Sequence, residues 1–352
     1  MKSKYQSIGL MSGTSLDGLD VCCATFTRRK QGWGFNIDCA KVYEYSDELC
    51  RKLGTEAQNM SAKDFCALHS EYGFFLGERV NDFIKEYGVK PDLISSHGHT
   101  IFHEPVKKLM CQIGDGAAIA AVTGIPVVSD FRRLDIMLGG QGAPLVPIGD
   151  RLLFGEYDYC LNIGGFSNIS YESSEGRIAF DVSPVNYVIN HYCRQIGVAF
   201  DKDGEIARCG CVNKETLKVL DDLQYYHHKP PKSLGREWVE NNIFPILDSS
   251  GLSIEDKLRT FYEHAAIQLS KVTQPGRSLF ITGGGTYNKF LISRISELSK
   301  DEIIIPDSQV IEYKEALIFA LLGIMYMENQ PSCLSSVTGA THDNIGGMLF
   351  KI

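Results

Sequence analysis

Three glycine-rich turns and one aspartate carry most of the chemistry that this sequence offers. The first turn holds Ser12, Gly13, Thr14, Ser15, Asp17 and Gly18. It lies between apolar runs at residues 5–11 and 19–26, which reads as strand, tight polar turn, strand. Glycines let a backbone approach an anion closely, and N–H groups and hydroxyls can bind it. Asp17 could hold a metal or orient a water. No Gly-Lys-Ser/Thr follows, so the turn is not a P-loop. Alone, it reads equally as an ordinary glycine-rich hairpin. A second hairpin pattern spans residues 159–171, with Gly164-Gly165 at its turn. A third cluster, Gly283, Gly284 and Gly285, joins a strand to a helical pattern of Phe290, Leu291, Ile295 and Leu298, a usual place for nucleotide contacts. Asp181 closes a strand-like run at 177–180 and precedes a helical pattern from about Asn186. A carboxylate there can project into a cleft, and a helix N-cap is the alternative reading. Strand period puts His97 and His99 on one face, with His103 nearby, but no carboxylate or cysteine spacing completes a metal site.

These residues need elements to hold them. Two similar hairpins, each opening about half of the chain, imply two related domains facing a shared nucleotide cleft. A length of 352 residues also favours two domains. The division falls near Asp130, giving 1–130 and 131–352. A third strand is expected at 35–45. A helix opens on the capping pair Ser61 and Asp64, runs through Phe65, Leu68, Tyr72, Leu76, Val80 and Phe83, and ends at Gly88. Shorter α/β alternation follows, with strands at 93–96 and 127–129 and a helix at 117–122. Residues 255–274 form the clearest later helix. Residues 213–254, with Pro230-Pro231, read as connecting structure.

Composition narrows the class. A formal net charge of −8 and a pI near 5.6 exclude a sequence-independent nucleic-acid binder. There is no signal-peptide pattern, and the longest apolar stretch, 316–327, is too short to span a bilayer and reads as a buried helix. The eleven cysteines lack zinc or C-x-x-C spacing and read as reduced, mostly buried small hydrophobes of a cytoplasmic protein.

Ten blocks together resemble the anhydro-N-acetylmuramic acid kinases, members of the actin/hexokinase/Hsp70-like ATPase superfamily. They are GLMSGTSLDGLDV (9–21), SHGHTIFHEP (96–105), QIGDGAAIA (112–120), SDFRRLDIMLGGQGAPLVP (129–147), LNIGGFSNIS (161–170), FDVSPVN (180–186), FDKDGEIAR (200–208), PPKSLGRE (230–237), ITGGGTYN (281–288) and SVTGA (336–340). They span nearly the whole chain in the family's order. The resemblance implies an α/β, two-lobed actin-like ATPase (ribonuclease H-like) fold with a nucleotide cleft between domains. It also implies an ATP- and Mg²⁺-dependent kinase, a cytoplasmic homodimer that recycles bacterial cell-wall sugar and binds neither nucleic acid nor membrane.

The implied reaction joins hydrolysis to phosphoryl transfer. Water attacks the anomeric carbon of 1,6-anhydro-N-acetylmuramic acid, the internal ether opens, and the released 6-oxygen takes the γ-phosphoryl group of ATP. Asp181 matches the family's catalytic base. Ser12, Gly13, Thr14, Ser15, Leu16, Asp17, Gly18, Leu19 and Asp20 match the loop that holds the ATP phosphates, with Asp17 the candidate for Mg²⁺. Gly164 and Gly165 match the opposing phosphate turn. Gly283, Gly284 and Gly285, with Asn288, would flank the adenosine. His97, Arg132, Arg133, Asn186 and Glu315 match sugar-site positions. A guanidinium from Arg132 or Arg133 would pair with the lactyl carboxylate. For Arg132 and Arg133 a solvated surface pair, and for Glu315 a favourable first-turn acid, are the alternatives.

The Asp181 block departs from the family pattern Asp-Thr-Gly-Pro-Gly-Asn, with Val182, Ser183 and Val185 in place of a hydroxyl residue and two glycines. A glycine with positive φ could not be replaced so without strain. His99 stands where glutamine is usual. Two other readings therefore stand beside the leading one: a kinase of the same fold acting on another amino or anhydro sugar, and a catalytically weak protein that senses sugar or nucleotide.

Overall fold

The computed structural model describes residues 2–13, 16–30 and 32–352. Its strands are β1 (Lys4–Ser12), β2 (Leu19–Arg28), β3 (Trp33–Tyr43), β4 (Leu93–Ser96), β5 (His99–Glu104), β6 (Leu109–Ile113), β7 (Val127–Ser129), β8 (Tyr159–Ile163), β9 (Phe166–Ser173), β10 (Gly176–Pro184), β11 (Ser278–Thr282), β12 (Glu302–Ile304) and β13 (Met348–Phe350).

The chain divides into two compact units. One comprises the residues up to Gly155 together with Tyr313–Ile352, and the other is Glu156–Glu312. In the first unit the sheet order is β13-β7-β4-β1-β2-β3, with β5 and β6 forming a separate hairpin. β1, β2 and β3 are antiparallel, and β4 and β7 then add in parallel beside β1. In the second unit the order is β10-β9-β8-β11-β12. Here too the first three strands are antiparallel and the last two add in parallel. Each unit thus repeats one plan, a three-stranded meander followed by two parallel strands, which is the ribonuclease H-like order. Two hairpins opening two halves signal this duplication in the sequence.

The division expected near Asp130 does not coincide with these units, for a physical reason. Asp135 is fully buried, and its Oδ1 accepts from Thr338 Oγ1 at 2.8 Å and from Asn344 Nδ2 at 2.9 Å. Its Oδ2 accepts from the Gly142 N–H at 2.8 Å. β13 pairs with β7, and Lys314 forms a buried 2.8 Å ion pair with Asp150. These long-range ties fasten residues 131–155 and the last forty residues to the first sheet.

The helix expected after Ser61 runs over Ala62–Tyr87. Ser61 Oγ accepts the Asp64 N–H, and Gly88 ends the helix in the left-handed region, with φ 66°. Its inward stripe of Leu68, Tyr72, Leu76, Val80 and Phe83 packs with Ile8, Leu10, Val21 and Ile94 of the sheet. The apolar stretch at 316–327 belongs to the helix Ser308–Met327. That helix crosses β1 at Gly9 so closely that a Cβ there would sit 1.9 Å from the Ala316 carbonyl oxygen. Among the described residues no helix is long and apolar enough to cross a membrane. The cysteines are free thiols, and six of the eleven are buried.

Residues 213–254 correct the expectation of connecting structure. They hold the helices Lys214–Asp221, Gln224–His227 and Arg236–Ser249. Val239, Ile243 and Leu247, four apart, join Leu220 in the core of the second unit. Pro245 inside the last helix masks this period in the sequence.

Candidate functional site

In the second unit, strand alternation places Asp181. Phe180 and Val182 point into the core with Leu161, Ile163 and Ile169, so Asp181 between them points to the other face. Register extends a polar row across the sheet from Asp181 to Asn168, Asn162 and Thr282. Asn162 and Asn168 were not singled out in the sequence, although both lie in the block 161–170. Period-2 alternation on either side of the Gly-Gly turn is the signal that finds them.

Asp181 is half-buried. Burial raises its carboxyl above the usual carboxylate range, and the Leu234 N–H, 2.9 Å from Oδ2, opposes that shift. It is not a helix cap, because Val185 holds that position for the helix Asn186–Gln195. The altered residues after it are accommodated without a left-handed backbone. Neither Ser183 nor Val185 has positive φ. Val182 and Val185 are buried core residues. Ser183 is tied to Ser167, whose Oγ donates to the Ser183 carbonyl at 2.8 Å. The substitutions turn inward, away from the polar row.

The glycine turns meet at the same end of this sheet. β8 ends at Ile163 and its parallel neighbour β11 ends at Thr282. A Cβ on Gly283, whose φ is 85°, would lie 2.7 Å from Asn162 Oδ1 and from the Ile163 carbonyl, so packing demands glycine there. Gly285 is equally confined, 2.2 Å from Ile163 Cγ2. Gly164, Gly165 and Gly284 differ. An added Cβ would meet nothing closer than 3.4 Å at Gly164 and 3.9 Å at Gly165, and nothing within 4 Å at Gly284. Their φ values are ordinary. The fold leaves a cradle there that side chains would fill. The carbonyls of Gly164 and Gly165 accept the N–H groups of Val185, Asn186 and Tyr187, which locks the turn to the Asp181 loop.

Asn288, expected beside the adenosine, has a structural role for its side chain. Its Oδ1 caps the helix Lys289–Ser299 through the Leu291 N–H, and its Nδ2 donates to Tyr262 OH at 2.6 Å. Asp201 completes this buried knot by accepting from Tyr262 OH and the N–H groups of Ile206 and Ala207. The side chain of Asn288 is consumed by structure.

The first unit collects the other candidates. Thr14 and Ser15 lie outside the described residues. Ser12 is buried at the end of β1, where its hydroxyl bonds His99 Nδ1 at 2.9 Å and accepts from Tyr45 OH at 2.8 Å. That hydroxyl is therefore turned inward, and burial pushes His99 down to about 4, leaving it neutral. Leu16 turns the chain with φ 59°, Asp17 is exposed, and Asp20 is half-buried on β2.

His97 and Arg132 form one assembly. His97 Nδ1 lies 2.8 Å from the Gly98 carbonyl, so it carries the proton there. Nε2 then accepts from Arg132 at 2.9 Å and from Gln112 Nε2 at 2.9 Å. Burial, with Arg132 second, holds His97 well below its ordinary value and therefore neutral. Arg132 also donates to the Gly142 carbonyl at 2.8 Å, and burial pushes it down to about 10, still charged at neutral pH. Its planar fork is thus seated by His97 and Gly142. Arg133 turns the other way, is exposed, and pairs with Asp130 at 2.5 Å. Glu315 lies well inside the helix that begins at Ser308, so it is not a first-turn acid. The surrounding protein raises its carboxyl, while Arg132 and Lys314 oppose the shift. The residue as a whole keeps an exposed surface. Among the described residues no three His, Cys, Asp or Glu side chains converge as a metal site.

The family model described as anhydro-N-acetylmuramic acid kinase matches residues 5–351. The chain belongs to this family. A curated relative of that name from Vibrio vulnificus (strain YJ016) is 33% identical over 369 residues, covering 99% of each chain. Another, from Shewanella loihica, is 34% identical over 382 residues, again covering 99% of each. Solved structures are more distant. Component A of (R)-2-hydroxyglutaryl-CoA dehydratase from Acidaminococcus fermentans aligns with 90% of this chain and 96% of its own at 11% identity and a TM-score of 0.45. Membership of the anhydro-N-acetylmuramic acid kinase family rests on the sequence relatives, and it makes the chain a phosphotransferase.

Proposed function

We propose that the chain opens 1,6-anhydro-N-acetylmuramic acid with water and phosphorylates the released 6-oxygen from ATP, yielding N-acetylmuramic acid 6-phosphate. The observation that carries this reading is the seat of Asp181. Its carboxylate stands off the core face, has one oxygen fixed by the Leu234 N–H, and is made more basic by burial. Asp181 takes the proton of the attacking water. His97 stays neutral and orients Arg132, whose guanidinium pairs with the sugar's carboxylate in preference to Arg133. Glu315 and Asn186 complete the sugar contacts.

The roomy turn at Gly164, Gly165 and Gly284 lets ATP phosphates and ribose approach the backbone, and the described residues Gly13 and 16–18 supply further N–H donors. Mg²⁺ carried by the nucleotide, whose charge it neutralises, needs only one or two protein carboxylates, and Asp17 with Asp20 fits that need. The burial of Val182 and Val185 in the core favours the family substrate over a different sugar. By the same family pattern, we infer a cytoplasmic homodimer serving cell-wall sugar recycling.

The test is ADP release from Mg-ATP with and without the anhydro sugar. Release that depends on this sugar, and not on N-acetylglucosamine, is the expected result. ATP binding without sugar-dependent turnover would overturn the substrate assignment. A second test concerns the cradle. Gly284→Ala should leave the melting temperature unchanged, because nothing in the protein meets the new methyl. The KM for ATP should rise on the order of tenfold through a lost close approach. An unchanged KM would remove Gly284 from the nucleotide site.

A further inference from the structure

We propose that Tyr225 and Lys232 form a clasp that positions Asp181, an inference that rests on Asp181 being the base. β10 is the edge strand of its sheet, so the backbone groups of Asp181 that face away from β9 have no strand to receive them. The clasp receives both. Tyr225 OH donates to the Asp181 carbonyl at 2.5 Å, and the Asp181 N–H donates to the Lys232 carbonyl at 3.3 Å. Two residues on, the Leu234 N–H reaches the side chain itself at Oδ2. The peptide on each side of Asp181 and one carboxylate oxygen are therefore fixed by a single segment, 225–234.

Lys232 closes the clasp on itself. Its ammonium donates to the Tyr225 carbonyl at 3.2 Å and lies 4.5 Å from the Tyr225 ring centre and 5.6 Å from that of Phe180. Phe180 is the neighbour of Asp181, so the cation bridges the residue before the base and the residue that holds its carbonyl. Trp238 packs against Tyr225 from the following helix, 5.2 Å between ring centres. The arrangement explains why the block PPKSLGRE lies against the Asp181 block: it supplies a backbone acceptor at the sheet edge and one hydrogen bond to the carboxylate. Tyr225 and Lys232 are positioning residues, which act through Asp181.

The test compares wild type with Y225F, K232M, K232R and D181N for sugar-dependent ADP release across pH, with melting temperatures as a folding control. Y225F keeps the ring and its packing. It should lower kcat about tenfold while the KM for ATP changes less than about twofold. Loosening the segment weakens the Leu234 bond that lowers the Asp181 pKa, so the acid limb of kcat/KM should move to higher pH. K232M should act in the same direction, and K232R, which keeps the cation over the rings, should restore most of the rate. If D181N loses turnover while Y225F and K232M keep both rate and pH profile, the clasp is overturned and the base assignment stands. If D181N turns over sugar like wild type, the base assignment falls and the clasp with it.

Discussion

Asp181→Asn is expected to lower sugar-dependent ADP release by about 10²–10⁴-fold, the range that a positioned general base contributes. The amide keeps the shape and can still accept the Leu234 N–H, so the Asp181 loop should stay in place. Linkage supports an intact fold. Burial raises this carboxyl in the folded state, so its ionised form costs stability at neutral pH, a cost relieved as pH falls. Asparagine removes that cost, and the variant should melt no lower than wild type. In the wild-type enzyme, turnover should fall on acidification through a pKa above that of an ordinary carboxylate, because the base works only when ionised. A variant with full turnover, or an acid limb at the ordinary carboxylate position, would sink the assignment.

Asp135→Ala is the second large effect, and it reads out in stability. Three donors converge on this fully buried carboxylate: Thr338 Oγ1, Asn344 Nδ2 and the Gly142 N–H. Truncation leaves all three without their acceptor, at a cost on the order of 4 kcal/mol. The damage should spread to substrate binding, because the Gly142 carbonyl seats Arg132. Denaturant unfolding should show the lost stability, and the KM for the sugar should rise in whatever folded protein remains. A variant as stable as wild type would mean that water substitutes for the carboxylate without penalty.

What the sequence made legible was local. The helix Ala62–Tyr87 was readable because its cap, its stripe and its terminal glycine all lie within it. The two hairpins were readable because turn chemistry and alternation sit side by side. What escaped depends on pairing across long separations. β13 has three residues and finds β7 more than 200 positions away, so neither it nor the true division of the chain has a local signature. The row from Asp181 to Thr282 exists only once register is known. Asn288 shows a different limit. Its place in a glycine-rich block points to nucleotide, the same residue type is a strong helix cap, and only the structure shows that its side chain caps a helix. Among the sugar candidates, sequence alone could not separate Arg132 from Arg133, since only the fold decides which one turns toward His97.

The return of Tyr313–Ile352 to the first unit has a consequence for synthesis. Residues up to Gly155 leave the ribosome before the second unit, but their sheet lacks its edge strand and the helix over Gly9 until Tyr313–Ile352 follow. The second unit is continuous in sequence and complete at Glu312. The unit begun second can therefore finish first, while the one begun first waits, with the face around Gly9 uncovered, for the residues after Glu312.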